Sequence, residues 1–186
     1  MKNLFFFLFA IIPIFSCKPG NHRRVRNSNT VLSDSTTSTT GKVIAILDGD
    51  TYDILLNGNT PTRIRMEGID APEKGMPYYK VAKNYLGQLC FGKEVRLEIT
   101  GKDLHDRTLA FSYLADGTEL SHEMIKAGLA WHFKKYSTDT VLARLETEAR
   151  DQKIGLWADK NPMTPWENRR LHKAGISTKD SFESRQ

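Results

Sequence analysis

Asp50, Asp70, Glu73 and Arg65 are the residues whose types and spacing bear on chemistry. Asp50 ends the run Asp48-Gly49-Asp50 at the start of one apolar segment, Asp70 and Glu73 lie just past another, and Arg65 lies on the segment before them. Two carboxylates plus a carbonyl form a hard oxygen site suited to Ca²⁺ or Mg²⁺. Arginines facing such a site clamp phosphate, because the planar guanidinium matches phosphate oxygens two at a time. Phosphodiester hydrolysis requires that combination: a cation to polarise phosphorus, arginines to stabilise the dianionic transition state, and a spare carboxylate to orient or deprotonate water. Spacing alone leaves open that each charge is half of a surface ion pair.

Other chemistries are excluded by the sequence. An EF-hand loop starting at Asp48 would place Tyr52 and Asn59 at ligand positions, and neither suits. His122-Glu123 lacks the second histidine of a zinc-protease helix, and there is no phosphate-binding Walker loop or Gly-rich dinucleotide fingerprint. No serine sits in a nucleophile elbow. Two cysteines, Cys17 and Cys90, cannot form a disulfide-dense framework or a structural zinc site.

Short strands and helices must position the charged residues. Lys42–Leu47 and Thr51–Leu56 read as strands around the Asp48-Gly49-Asp50 turn, and Asn57-Gly58-Asn59 is a second turn signal. Thr62–Met66 alternates apolar and basic, so Arg63 and Arg65 share one face of a third strand. Lys93–Thr100 and Leu109–Leu114 supply two more strands. A helix follows Pro77, with Tyr78, Val81, Tyr85 and Leu89 on one face. A second fits Glu119–Ala127 with Gly128 as its cap, and a third fits Asp139–Ile154, stopped by Gly155. The class is α+β, and five curved strands with three helices point to a small OB-type barrel.

The 186 residues and net charge of +5 suit one folded domain with tails and an anionic partner. Lys2 followed by the apolar run Leu4–Phe15 reads as a signal peptide over residues 1–16, too short to span a bilayer. Ile14-Phe15-Ser16-Cys17 resembles the lipobox of bacterial lipoproteins, so Cys17 is expected to carry a lipid that anchors the chain to a membrane at the periplasm or cell surface; ordinary secretion is the alternative. Residues 17–40, rich in Ser and Thr, read as a disordered tether. The folded domain is assigned to residues 41–160 and a C-terminal tail to 161–186.

Asp48-Gly49-Asp50-Thr51, Arg65 with Ile69-Asp70-Ala71-Pro72-Glu73, and Asp106-Arg107-Thr108-Leu109-Ala110 together resemble the signature of the staphylococcal nuclease family. The resemblance runs on through Ala115-Asp116-Gly117, Ala127-Gly128-Leu129-Ala130 and Gly155-Leu156-Trp157, covering about residues 42–158. Asn161-Pro162-Met163-Thr164-Pro165-Trp166-Glu167 is similar to the tail of bacterial members. The resemblance implies a five-stranded OB barrel with three helices. It implies Ca²⁺ held by the carboxylates of Asp50 and Asp70 and the carbonyl of Ala71. Glu73 is implied as general base or water-positioning residue, and Arg65 and Arg107 as holders of the scissile phosphate. The implied substrates are DNA and RNA, single strands favoured, cut at the P–O5′ bond to leave 3′-phosphorylated fragments.

The sequence departs from the family pattern before Arg107, where family members often carry Tyr-Gly and this chain has His105-Asp106. His105 is either a phosphate donor when protonated, below about pH 6.5, or an exposed loop residue. Asp106 is expected to weaken substrate binding by adding negative charge beside Arg107. Among the aromatic residues near base-stacking positions, Trp131 and Phe133 read as core and Tyr136, beside Lys134 and Lys135, as the nucleotide contact. The chain is expected to act as a monomer. The alternative function is a module of the same fold that binds nucleic acid or a partner without cleaving; such modules lack the arginines and carboxylates present here.

Overall fold

Alternation of buried and more exposed side chains, clearest in the two later strands of the barrel, builds the sheet. The computed structural model describes residues 37–176, in which β1 (Thr37–Ile46), β2 (Thr51–Leu56) and β3 (Thr60–Met66) form an antiparallel meander. The strand β4 (Ile69–Asp70) and helix α1 (Tyr79–Cys90) precede β5 (Glu94–Lys102) and β6 (Thr108–Tyr113). Five strands close into a barrel in the order β1-β2-β3-β6-β5, with the β3–β6 pair parallel. Val43, Tyr52, Ile54, Ile64, Val95, Leu97 and Ala110 fill the interior. A polar pair buried with them is satisfied internally, because Tyr52 Oη donates to Ser112 Oγ at 2.8 Å.

Helix α2 (Leu120–Lys126), the two-residue strand β7 (Trp131–His132) and helix α3 (Thr140–Asp151) complete the expected set, with Glu119 and Asp139 capping the two helices through their carboxylates. Gly128 follows α2 at φ +62, and a Cβ there would lie 2.2 Å from the carbonyl oxygen of Ile154, so only glycine fits that crossing. Helix α3 ends three residues before the expected Ile154. Lys153 takes the left-handed conformation, φ +53, and Gly155 opens a short 3₁₀ turn instead.

Two boundaries differ from the sequence reading. Thr37–Thr40, assigned to the tether, continue β1 and pair with Ile99–Arg96 of β5. Residues assigned to a tail hold a fourth helix, α4 (Pro165–Lys173), so the described residues contain four α-helices rather than three. Its signal was local: Thr164 caps it by accepting from the Glu167 N–H, Pro165 occupies the first turn, and Arg170, His172 and Lys173 close it. A second apolar cluster of Met76, Trp131, Ala149, Leu156, Trp157 and Met163, with Leu171 packed against it, seats this helix. Cys17 and residues 1–16 lie outside the described residues.

The buried face of α1 also differs. It is Ala82, Leu86 and Cys90, flanked by Tyr78, Tyr85 and Leu89, whereas Val81 is 52% exposed. Leu86→Ala is therefore expected to destabilise the protein by about 2–5 kcal/mol. Val81→Ala should stay within about 0.5 kcal/mol, as surface changes do. Urea unfolding of the two variants measures the contrast.

Candidate active site

The turn before β2 delivers the first carboxylate. Asp48 Oδ1 accepts the Asp50 N–H at 3.1 Å, and the Asp50 carbonyl accepts the Met66 N–H at 2.9 Å, pinning the turn to the end of β3. Gly49 is required by close approach: a Cβ there would lie 2.8 Å from the Cβ atoms of both Ala71 and Ala82. Pressed into this gap, Asp50 is buried, and its Oδ2 accepts the Ala71 N–H at 2.6 Å.

The second carboxylate arrives on β4, which pairs with β7 so that Asp70 lies opposite Trp131. Arg65, the register partner of Thr51, reaches between the two aspartates. Its Nη2 lies 3.2 Å from Asp50 Oδ2 and 3.1 Å from Asp70 Oδ1, and its Nη1 donates to the Met66 carbonyl at 2.8 Å. The three side chains are 90% or more buried. Arg107 enters from the loop before β6: its Nη1 donates to Thr51 Oγ1 at 3.4 Å, and Thr51 Oγ1 donates to Asp50 Oδ1 at 2.9 Å. Thr51 thus links Arg107 to Asp50, the ion-pair partner of Arg65.

Asp50, Arg65, Asp70, Ala71 and Glu73 lie together, with Arg107 joined to them through Thr51. His105 and Tyr136 stand apart from this group. His105 is exposed, and its contact is a backbone N–H donated to Asp103 Oδ1 at 2.8 Å. Tyr136 is exposed on an aromatic ledge, edge-on to Phe133, which in turn stacks on Trp166 of α4. Trp131 is buried against Trp157, in the core as the sequence reading had it. Asp106 takes the left-handed conformation, φ +60, and pairs with Lys102 at 2.6 Å, while Asp103 grips Arg107 Nε at 2.7 Å.

Sequence reasoning missed two contributors. Asp48, read only as a turn residue, is raised to about 7 by burial and then by the charge of Asp50. Arg169, from α4, donates from Nη2 to Asp70 Oδ2 at 2.6 Å and from Nη1 to Glu73 Oε1 at 2.6 Å, while Asn168 Nδ2 donates to Glu73 Oε2 at 3.1 Å. Partial burial opposes the charge of Arg169, but hydrogen bonds to these carboxylates hold its guanidinium above the ordinary value. Nothing in the spacing of Asp70 and Arg169, 99 positions apart, announces their meeting.

The donor set fits a hard divalent cation. Burial raises Asp70 above the ordinary carboxylate value; the Arg169 hydrogen bond opposes this, and the charge of Asp50 adds to it. Asp48 is likewise raised by burial first and by the charge of Asp50 second, so carboxylates stand close together here, beside Arg65 and Arg169. Among the described residues, no three His, Cys, Asp or Glu side chains form a ready-made metal cluster. The oxygens available are two carboxylates and backbone carbonyls, a set that favours Ca²⁺ or Mg²⁺ over zinc.

Comparison with known proteins gives the same direction. A family profile described as "Staphylococcal nuclease homologue" matches residues 63–159. A protein of Haemophilus influenzae named an uncharacterized endonuclease is 40% identical over 149 residues, covering 80% of this chain and 83% of that one. A micrococcal nuclease of Shigella flexneri is 38% identical over 143 residues, covering 72% and 82% of the two chains. A staphylococcal-like nuclease of Arabidopsis thaliana is 40% identical over 113 residues, 61% of this chain and 35% of the plant protein. With the closed five-stranded barrel, the match over more than half its length and two bacterial relatives covered over about four-fifths of theirs, the chain belongs to the staphylococcal nuclease family.

Proposed function

We propose that the protein is a Ca²⁺-dependent phosphodiesterase that hydrolyses DNA and RNA with low sequence specificity and leaves 3′-phosphorylated products. The observation that carries this reading is the convergence of two buried aspartates and a buried arginine, with Glu73 and a second arginine at the rim. Asp50 and Asp70 would hold Ca²⁺ through carboxylate oxygens, with the Ala71 carbonyl as a third ligand. The bound cation supplies charge stabilisation to the phosphoryl oxygens. Arg65 and Arg107 fix the phosphate and stabilise its transition-state charge. Glu73, a third exposed, orients a water molecule and takes its proton. His105 and Tyr136 would contact nucleotide only at the periphery, Tyr136 by stacking.

The test is incubation of single-stranded oligonucleotides with the purified chain. Cleavage is expected with Ca²⁺, none with EDTA, and strong loss in Asp70→Asn. Binding of oligonucleotide without cleavage, indifferent to Ca²⁺, would instead identify a non-catalytic binding module. Export and lipid anchoring at Cys17 rest on the sequence of residues 1–17; a free Cys17 thiol on the mature protein overturns the anchor.

A further inference from the structure

Helix α4 lies beyond residues 63–159, yet it touches the centre of the site. The Arg169 guanidinium spans two different carboxylates, 2.6 Å from Asp70 Oδ2 on one nitrogen and 2.6 Å from Glu73 Oε1 on the other. A single planar fork thereby fixes how far apart Asp70 and Glu73 stand. The second Glu73 oxygen is held by Asn168, which is fully buried on the same helix. Both oxygens of Glu73 are thus oriented by one turn of α4, and neither by the barrel. The helix is in turn fixed: Leu171 packs on the Trp131–Trp157 cluster, and Trp166 stacks on Phe133 with rings 6° from parallel.

The two arms of the contact differ: the Asp70 arm meets a side chain only 4% exposed and bears on stability, whereas the Glu73 arm joins groups 39% and 34% exposed, where an ion pair contributes little. As a means of orienting a carboxylate, the arrangement is specific.

We propose that Arg169 is a positioning residue of the active site, which holds the Glu73 carboxylate at a fixed place relative to Asp70 and so makes the C-terminal helix a working part of the site. This rests on the function proposed above. Placement governs such a step steeply, since a misplacement of about 1 Å lowers rate by about 10²-fold. Loss of an orienting partner outside the reacting set typically lowers activity about 10- to 100-fold.

The experiment uses the full-length chain and compares Arg169→Ala, Arg169→Lys and, as a charge-matched control on the same helix, Arg170→Ala. Cleavage kinetics, Ca²⁺ affinity by calorimetry with the metal alone, and melting temperature are measured for each. For Arg169→Ala, kcat is expected to fall about 10- to 100-fold with little change in KM. Its Ca²⁺ affinity should be unchanged or tighter, because a positive charge beside Asp70 has been removed. Arg169→Lys should recover part of the rate, since an ammonium reaches one carboxylate but lacks the fork, and Arg170→Ala should match wild type. Three results overturn the proposal: a wild-type rate in Arg169→Ala, a faster rate, which makes α4 a latch, or a parallel loss of rate, Ca²⁺ affinity and melting temperature, which makes Arg169 a structural strut. An inert wild-type chain would instead defeat the proposed function itself.

Discussion

Alanine at Arg65 is expected to slow phosphodiester cleavage by about 10²- to 10³-fold, the effect of removing one charged donor aimed at a transition-state oxyanion. Arg65 has a second duty, because its Nη2 separates Asp50 from Asp70. Removing it leaves two buried carboxylates facing each other, and breaking such a buried pair costs about 3–5 kcal/mol. The two effects are separable. If Ca²⁺ binds as proposed, it would supply the missing positive charge, so it should raise the melting temperature of Arg65→Ala more than that of wild type, by binding only the folded form. The catalytic loss should persist in the Ca²⁺-saturated, folded variant. Arg65→Lys keeps the charge without the two-nitrogen fork, and is expected to recover stability before rate. Calorimetry and cleavage assays at matched Ca²⁺ measure both.

Trp131→Ala should have a comparably large effect on stability. Trp131 is almost wholly buried, and its ring packs edge-on to Trp157 at 5.6 Å between centroids. Truncating a buried aromatic to alanine costs about 3–5 kcal/mol, a large part of the roughly 5–15 kcal/mol that holds an ordinary domain together. The site feels this directly. Trp131 pairs with Asp70 across the β4–β7 ribbon, and the same cluster seats the helix that carries Arg169. Activity should therefore fall at temperatures where circular dichroism still reports folded protein. A variant that loses stability while keeping full activity below its melting transition would separate the ribbon from the site.

The barrel was legible because its strands obey a period of two. Val95 and Leu97 alternate with Glu94 and Arg96, and their burial follows. The start of β1 was not, because Thr37–Thr40 belong to a Ser/Thr run whose composition resembles a linker; the partner strand β5, far along the chain, recruits them. Helix α1 was found with its face turned by one position: Val81 shares the four-residue spacing of Tyr85 and Leu89, but the barrel meets the helix along Ala82, Leu86 and Cys90.

The charged residues divide in the same way. Asp50, Arg65, Asp70 and Glu73 were marked by motifs close to strand ends, where local geometry already constrains them. The Lys102 partner of Asp106 was not legible, because it depends on a left-handed residue in the loop before Arg107. Arg169 was missed because α4 carries only Pro165 and Asn168 as buried residues, too few for an apolar period, although the capping signal Thr164-Pro165-Trp166-Glu167 was present. Its place in the site depends on tertiary packing alone.

The decisive measurement is mass spectrometry of a single-stranded oligonucleotide after incubation with the full-length chain and Ca²⁺. If Asp50, Asp70, Arg65 and Arg107 act on one phosphate, the products carry 3′-phosphate and 5′-hydroxyl ends and vanish when EDTA is present. An oligonucleotide recovered intact from the folded, Ca²⁺-loaded protein would contradict it.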